Sequence, residues 1–367
     1  MANPTSPPLS VDIVRSALRE VKEPVTGRDV STLGMTKKIE LDGPHVYVTL
    51  ELPTPVYRHR GALEQAVDAA VRKVPGVKDV RVLSTVNVPQ GNRGAATRLP
   101  SVKNVIAVAA GKGGVGKSTV STNLALALRQ HGARVGLMDA DIYGPSVPTM
   151  LGEAESPPST RPGNKIGPAI YFGMPVISVG FFTEREGAVV WRGPMIHKLL
   201  QQFIEDVEWG DLDYLVVDLP PGTGDAQLSL SQLIPITGSV IVTTPQEVAL
   251  IDVEKAVSMF KKVEVPILGV VENMSYYVCP NCGHHDEIFS RGGGEQLAEQ
   301  HKTTFLGAVP IDSKVRYGGD IGRPIVIGAP DSEHTKIFME MALRVAESIM
   351  RLVMAGPRRP AGLVQIR

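Results

Sequence analysis

Residues 111–118 carry the most specific chemical signal in the sequence. They read GKGGVGKS, which matches the pattern G-x-x-x-x-G-K-[ST] of phosphate-binding loops. An apolar segment at residues 105–110 predicts a strand before the loop, and a helical pattern follows it at residues 118–130. This strand–loop–helix context is the one that the motif requires. We therefore predict that backbone amides and a helix N-terminus bind the phosphates of a nucleotide here.

The side chains of this loop have separate predicted roles. Lys117 should reach the β- and γ-phosphates, and the hydroxyl of Ser118 should ligate Mg²⁺. Thr119, the next residue, should support the α-phosphate side. The nucleotide-contacting positions before Lys117 are Gly111, Lys112, Gly113, Gly114, Val115 and Gly116.

Lys112 is a second lysine in a loop whose pattern needs only one. Because the backbone at this position wraps the phosphates, the side chain of Lys112 should point away from its own nucleotide. A charge that points outward can reach a phosphate held by a facing molecule, as an arginine finger does. Lys112 is therefore either a catalytic charge donated in trans or an ordinary solvated lysine.

Two further apolar segments end in carboxylates. The segment VGLMDAD ends with Asp139 and Asp141, and LDYLVVD ends with Asp218. Ligands of doubly wound sheets bind beside the carboxyl ends of the strands, and Asp218 is placed to hold Mg²⁺ as a Walker B aspartate does. The loop PPGTG that follows contains Gly222, our candidate hinge of a segment that responds to the γ-phosphate. The alternative for each aspartate is an ordinary strand end or acidic turn.

The sequence contains two cysteines, Cys279 and Cys282, in the segment YYVCPNCGHHDE. Two thiolates at this spacing supply half of a Cys₄ site, so a tetrathiolate site needs two chains. A [4Fe–4S] cluster on a two-fold axis satisfies this requirement, and zinc suits the same four thiolates. His284 or His285 could instead complete a Cys₂His₂ zinc site within one chain. A thioredoxin-like redox pair is less favoured, because the cysteines follow a strand and loop rather than opening a helix.

The elements that must position these residues alternate along the chain. From residue 103 onward, apolar runs of strand length alternate with helical patterns, which predicts an α/β domain with a doubly wound, mostly parallel sheet over residues 103–367. Residues 1–86 contain two amphipathic helical patterns and two strand patterns, and predict a small separate α/β domain. Residues 87–102 are polar and rich in Gly and Pro, and predict a linker. Residues 152–169 have a similar composition and predict a mobile surface excursion.

Two helical patterns carry apolar stripes without chemistry of their own. The segment WRGPMIHKLLQQFIEDV begins with Trp191 and Arg192 and predicts a structural or dimer-forming helix. The C-terminal pattern places Met341, Val345 and Ile349 on one side, which predicts packing against a core rather than contact with a membrane.

Composition and charge exclude several classes of protein. The 367 residues carry a formal net charge of zero, which gives no electrostatic reason for binding nucleic acid or an anionic membrane. No apolar run reaches the ~18 residues that span a bilayer, and the N-terminus lacks the pattern of a secretory signal. We therefore expect a cytoplasmic protein without stable membrane association. A close cysteine pair in that reducing compartment more often binds metal or does redox chemistry than forms a structural disulfide.

Several of these motifs resemble a known family. GKGGVGKST resembles the deviant Walker A of nitrogenase iron protein, the Min-type septum-site ATPases and the ParA partition ATPases, whose members form ATP-sandwich dimers in which the first lysine crosses the interface. The resemblance implies a homodimer in which Lys112 acts on the ATP of the other chain. It also implies that Asp141 positions the attacking water, that Asp139 supports the metal shell and its loop, and that Asn273 in ENMS reads adenine.

The motifs GKGGVGKST, MDADIYGPS, WRGPM, DLPPGTGD, ENMS and CPNCG together resemble the Mrp/ApbC branch, the P-loop iron–sulfur cluster carriers, over residues 103 to about 330. This resemblance implies a homodimeric ATPase that uses ATP and Mg²⁺, binds a [4Fe–4S] cluster between its subunits and transfers it to apo iron–sulfur proteins, with the cluster-assembly machinery as a further partner. Residues 1–86 resemble the MIP18-like (SUF-associated) module, but they contain no cysteine, so no cluster site is assigned to them. The rival functions are a Min- or ParA-type positioning ATPase with a structural zinc at the dimer interface, and a scaffold with a vestigial ATPase.

Overall fold

The computed structural model describes residues 8–91, 98–182 and 193–355. These residues form two compact units: one contains the chain up to Pro89 together with the end of the C-terminal helix from Met350, and the other contains Gln90–Ile349. The sequence-based boundaries, 1–86 and 103–367, put the whole C-terminal helix in the second domain. Met350 belongs with the first unit because its side chain is buried in the apolar core of that unit.

The first unit is a three-stranded sheet packed against two helices. Its central strand buries every second side chain, as the alternation of HVYVTLEL predicts, and pairs antiparallel with one neighbour and parallel with the other. The first strand was not predicted, because its segment TKKIELD contains two apolar residues and neither is fully buried. The elements are α1 (Val11–Leu18), β1 (Thr36–Asp42), β2 (His45–Leu52), α2 (Arg60–Arg72) and β3 (Asp79–Val86).

The second unit is built on a nine-stranded sheet. The main strands are β4 (Val102–Ala110), β5 (Val135–Asp139), β8 (Ala169–Tyr171), β9 (Met174–Ser178), β10 (Leu212–Asp218), β11 (Gly238–Thr243), β12 (Ile267–Val278), β13 (His285–Asp286) and β14 (Phe305–Ile311). They lie in the order β13-β12-β11-β4-β10-β5-β9-β8, with β14 paired to β12. All pairs are parallel except β8 with β9 and β12 with β13. The predicted doubly wound, mostly parallel sheet is confirmed.

Helices follow most of these strands. They are α3 (Lys117–Gln130), α4 (Val147–Leu151), α5 (Gly193–Glu205), α6 (Asp225–Leu233), α7 (Glu247–Lys262), α8 (Gly293–Gln300), α9 (Ser313–Asp320), α10 (Ile325–Gly328) and α11 (Glu333–Met354). Every residue of α3 from Val120 to Leu128 is buried. Because this stretch is buried on every side, α3 lies in the interior of the domain and is a rigid support for the loop that precedes it.

The carboxyl ends of three neighbouring strands align at one edge of the sheet. Asp218 at the end of β10 lies opposite Asp139 at the end of β5, and Asp139 lies opposite Ser178 at the end of β9. On the other side of β10, Asp218 pairs with Val108 near the end of β4. Because the strands are parallel, this register brings the predicted carboxylates to the loop that joins β4 to α3.

The segment predicted as a surface excursion contains a small antiparallel sheet of β6 (Ser159–Arg161) and β7 (Lys165–Gly167). The sequence does not predict these strands, because they are short and the segment is rich in Gly and Pro.

The apolar stripe of α11 is buried at Met341, Val345 and Ile349, as predicted. Helix α5 buries Leu200 and Phe203 in the core, whereas Trp191 and Arg192 lie outside the described residues. No helix in the described part of the chain is long and apolar enough to cross a membrane.

Candidate functional site

The loop between β4 and α3 has the backbone of a phosphate cradle. Gly114 and Gly116 adopt left-handed φ angles of +81° and +80°, which favour glycine over residues with a side chain. A Cβ added at Gly111 would overlap the backbone of Asp252 in α7. Glycine at this position therefore lets α7 pack directly against the loop. Lys117 begins α3, so the amides that follow it point into the loop with the favourable end of the helix dipole.

Lys117 lies at the centre of the acidic edge of the sheet. Its Nζ is 2.8 Å from Asp218 Oδ1 and 3.3 Å from Asp141 Oδ2, and its side chain is only 6% exposed. The hydroxyl of Ser118 donates to Asp218 Oδ2 at 2.5 Å, and that of Ser121 donates to Asp218 Oδ1 at 2.6 Å. The two buried carboxylates thus share one ammonium group. This cluster contains the cation and the oxygen donors that phosphate and Mg²⁺ chemistry require.

Two observations test whether this cluster suits a magnesium nucleotide. Ser118 Oγ and the carboxylate of Asp218 are adjacent hard oxygen donors, the ligand type that Mg²⁺ prefers. The buried Oδ1 of Asp141 has no hydrogen-bond partner among the described residues. A buried acceptor without a donor is costly and is accounted for by a polar ligand such as water. The residues present therefore fit Mg²⁺ and a water molecule beside Asp141.

Asp139 is fully buried and fastens the segment that carries Asp141. Its Oδ1 accepts a hydrogen bond from the backbone N–H of Asp141 at 3.1 Å, and its Oδ2 accepts from Val147 at 3.3 Å and from the hydroxyl of Ser178 at 2.8 Å. Burial and the neighbouring Asp218 carboxylate raise the pKa of Asp139 to about 7. Burial also raises the pKa of Asp141, although Lys117 opposes this rise.

The raised pKa of Asp139 predicts how stability depends on pH. The carboxyl takes up a proton near pH 7 in the folded protein but only near 3.8 when unfolded. The contribution of this group to stability is therefore full below about pH 4, falls as the pH rises to about 7, and is absent above that. In nucleotide-free protein, we expect the melting temperature to fall between pH 5 and pH 7, and Asp139→Asn to reduce that fall. Asp213→Asn, at a buried carboxylate paired with Arg134 at 2.8 Å, should keep the wild-type fall. Equal falls in wild type and Asp139→Asn would contradict the assignment.

The structure separates the two lysines of the loop. Whereas Lys117 is buried among carboxylates, Lys112 is half-buried and its Nζ lies 3.4 Å from Gln246 Oε1, at the start of α7. Lys112 is therefore held on the outer side of the loop by a neutral partner. Because this partner is neutral, the ammonium charge of Lys112 is available to a phosphate. The role of Lys112 in trans stays a prediction.

The loop after β10 is tied to the phosphate loop. Gly222 adopts a φ of +97°, and its N–H donates to the carbonyl of Ala110 at 3.0 Å. Because one backbone hydrogen bond joins Gly222 to the end of β4, the loop could change its conformation there without changing the packing of the hydrophobic core. The hinge role of Gly222 stays a prediction, and its geometry suits that role.

Asn273 lies against the phosphate loop. It is buried, and its Nδ2 donates to the carbonyl of Val115 at 2.8 Å. This contact braces the loop, and adenine recognition by Asn273 stays a prediction. The neighbouring Glu272 was missed in the sequence. Its buried carboxylate accepts from Ser275 Oγ at 2.5 Å and from the N–H groups of Gly292 and Gly294 at 3.0 and 2.7 Å. The signal for it was an acidic residue within an otherwise apolar strand.

The two cysteines lie on a hairpin that extends from the edge of the sheet. Strand β12 continues past its parallel partner β11 and pairs antiparallel with β13 across a turn. The N–H of Cys279 donates to the carbonyl of His284 at 2.9 Å, and the N–H of Gly283 donates to the carbonyl of Cys279 at 2.8 Å. Both thiols are free, Cys279 half-buried and Cys282 exposed.

This turn stabilises the thiolate form of Cys279. Hydrogen bonds from the backbone N–H groups of Asn281 and Cys282, and a contact with the Cys282 thiol, lower the pKa of Cys279. Since the thiolate is the form that binds metal, the turn is prepared to ligate a soft metal centre. No three potential metal ligands converge among the described residues, and the ring of His285 stacks on Tyr276 at 5.6 Å. The arrangement gives no support to a Cys₂His₂ site within one chain.

Comparison with known proteins places this geometry in a family. Residues 101–346 match the family model described as NUBPL iron-transfer P-loop NTPase, and residues 12–84 match one described as iron–sulfur cluster assembly protein. A protein of Deinococcus radiodurans is 46% identical over 92% of this chain and 95% of its own length, and one of Escherichia coli K12 is 44% identical over 92% of each. Both are named iron–sulfur cluster carrier protein.

A solved structure agrees with the sequence matches. A nucleotide-binding protein of Archaeoglobus fulgidus, in complex with ADP and with cobalt, is 37% identical and superposes with a TM-score of 0.58 over 66% of this chain and 95% of its own. About two thirds of this chain thus shares its fold with a nucleotide-bound protein of known structure. The chain belongs to the family of NUBPL iron-transfer P-loop NTPases.

Proposed function

We propose that this protein is an ATPase that carries a [4Fe–4S] cluster between two copies of itself and transfers it to apo iron–sulfur proteins. Relatives at 46% and 44% identity are named iron–sulfur cluster carriers, and their matched regions include both units. The cluster is cargo here, received from the assembly machinery and passed to acceptors.

The cysteine hairpin is the observation that carries this proposal. The chain has two cysteines, they share one turn, and that turn lowers the pKa of Cys279. Iron–sulfur clusters of the [4Fe–4S] type are held by four cysteine thiolates. One chain supplies two, so two chains related by a two-fold axis complete the set. Zinc would be held by the same four sulfurs, and metal analysis separates the two cases.

The acidic edge of the sheet would hydrolyse the nucleotide. Lys117 would leave its carboxylate partners to neutralise the β- and γ-phosphates, while Ser118 and Asp218 hold Mg²⁺, which supplies further charge neutralisation when bound. Asp141 would orient water through its free Oδ1. Thr119 would support the α-phosphate, and Lys112 would reach the nucleotide of the second chain.

The surface beside Lys112 supports a second chain as the partner. Val248 and Ile251 lie one turn apart on α7, two and five residues beyond Gln246, and are 62% and 59% exposed. Two large apolar side chains exposed on the helix whose first residues contact Lys112 through Gln246 suit an interface with a second chain.

Replacing Ile251 with glutamate should therefore weaken ATP-dependent dimerisation by about tenfold or more, the effect of removing one well-buried interface residue. Sedimentation velocity with ATP and Mg²⁺ measures the change. Leu83→Glu is the matched control, since Leu83 is equally exposed at 59% but lies in the first unit. If Ile251→Glu dimerises like wild type, or if Leu83→Glu weakens the dimer as much, this surface is not the interface.

Cluster transfer tests the proposed function itself. Reconstituted protein is mixed with an apo-enzyme that needs a [4Fe–4S] cluster, and recovery of the acceptor's activity is followed under anaerobic conditions with a chelator present. We expect faster recovery than from free iron and sulfide. Recovery no faster than the free ions allow would reject the carrier function.

A further inference from the structure

Ser178 is a buried hydroxyl next to the candidate hydrolytic site. It ends β9 and lies directly opposite Asp139 in the parallel register. Its Oγ donates to Asp139 Oδ2 at 2.8 Å and accepts a hydrogen bond from the N–H of Gly180 at 3.0 Å. The side chain is fully buried, so its single proton is committed to the carboxylate and water does not compete for it.

Asp139 connects Ser178 to the segment that contains Asp141. Its two oxygens accept hydrogen bonds from the N–H of Asp141 at 3.1 Å and of Val147 at 3.3 Å, so one carboxylate fastens both ends of the segment between them. Tyr143, in the middle of that segment, is 73% exposed. The segment thus reaches the surface, and its position depends on the orientation of one buried carboxylate.

The orientation of that carboxylate depends in turn on its neighbours. Asp218 lies opposite Asp139 on the other side, and two carboxylates at adjacent strand ends repel each other. The hydroxyl of Ser178 donates from the β9 side and attracts Asp139 away from Asp218. A buried acceptor that loses its donor is left unsatisfied, which costs free energy, so loss of the Ser178 hydroxyl should let the carboxyl group of Asp139 rotate.

We propose that Ser178 is a positioning residue for ATP hydrolysis: through Asp139 it holds Asp141, and with it the attacking water, at the γ-phosphate. The proposal rests on the proposed ATPase function. Ser178 is fully buried and its hydroxyl contacts Asp139, so its effect should be on the rate of the hydrolytic step rather than on nucleotide binding.

The test compares Ser178→Ala with a matched serine. Ser239 is equally buried in the same sheet, but it is the second residue of β11, near the opposite end of the strand, and its Oγ donates to the carbonyl of Pro266 at 3.3 Å. Ser178→Ala should lower kcat for ATP hydrolysis by about 10- to 100-fold, the range for a buried acceptor that is left without its donor. The KM for ATP should stay within about threefold of the wild-type value. Ser239→Ala should leave kcat within about threefold of wild type.

Hydrogen exchange supplies a readout independent of turnover. In Ser178→Ala, amides of residues 140–147 should exchange faster, whereas those of the phosphate loop should exchange at the wild-type rate. Ser239→Ala should leave both segments unchanged. The proposal is overturned if Ser178→Ala keeps wild-type kcat, if it changes KM alone, or if the exchange of residues 140–147 does not increase. If wild-type protein itself fails to hydrolyse ATP, the proposed function fails first, and the exchange result still decides whether Ser178 holds this segment.

Discussion

Replacing Lys117 with alanine should both abolish ATP hydrolysis and destabilise the protein in the absence of nucleotide. The ammonium group is only 6% exposed and is shared by Asp218 and Asp141, at 2.8 and 3.3 Å. Removing it leaves two buried carboxylates without a cation, which costs about 3–5 kcal/mol when one partner of a buried pair is deleted. Loss of one preorganised charge at the reacting phosphate should lower kcat by at least about 10²–10³-fold.

Lys112→Ala is the matched control, because it removes a lysine from the same loop. Its Nζ contacts a neutral amide at 3.4 Å, and the side chain is half-buried, so the variant should melt within about 1 °C of wild type, the effect expected of a surface substitution. Hydrolysis should nevertheless fall if, as we propose, the charge reaches the nucleotide of the second chain. Thermal and urea unfolding measure stability, and steady-state ATPase assays measure hydrolysis. Equal loss of stability in the two variants would contradict the claim that Lys117 stabilises the fold and Lys112 does not.

The second large effect concerns the cysteines. Replacing Cys279 or Cys282 with alanine removes one sulfur from each chain and should prevent assembly of a stable [4Fe–4S] cluster, because the site then has two thiolates instead of four. Anaerobic reconstitution followed by iron and sulfide analysis measures the loss, with absorbance in the sulfur-to-iron charge-transfer region as a second readout. ATP hydrolysis should continue, since neither thiol contacts the phosphate loop.

A double replacement of His284 and His285 by alanine distinguishes the metal centres. Both side chains are exposed, and the ring of His285 stacks on Tyr276. The double variant should therefore keep the cluster if four cysteines hold it. Loss of metal in the double variant, with zinc rather than iron in wild type, would support a Cys₂His₂ site and contradict the carrier function.

The residues that the sequence identified are those whose signal is local. The pattern around Lys117 predicts the strand, the loop and the helix together. The apolar runs before Asp139 and Asp218 predict that both aspartates lie at strand ends. Cys279 and Cys282 stand out because the chain has no other cysteine. In each case a short stretch contains both the chemistry and its structural context.

The contacts that the sequence did not reveal depend on residues far apart in the chain. Ser178 was not singled out, because its partner Asp139 is 39 residues away and only the β5–β9 register joins them. The contact of Asn273 with Val115 joins residues 158 positions apart. The second strand of the cysteine hairpin, β13, is two residues long, which is too short for any hydrophobic period to mark it.

Native mass spectrometry of the anaerobically reconstituted protein, with ATP and Mg²⁺ present, tests the central claim most directly. It weighs the assembly and its inorganic content in one measurement. A species of two chains holding one [4Fe–4S] cluster is the predicted result. A single chain that binds metal through its own ligands, and that still hydrolyses ATP and donates a cluster at full rate, would show that neither Lys112 nor the cysteine pair needs a second copy.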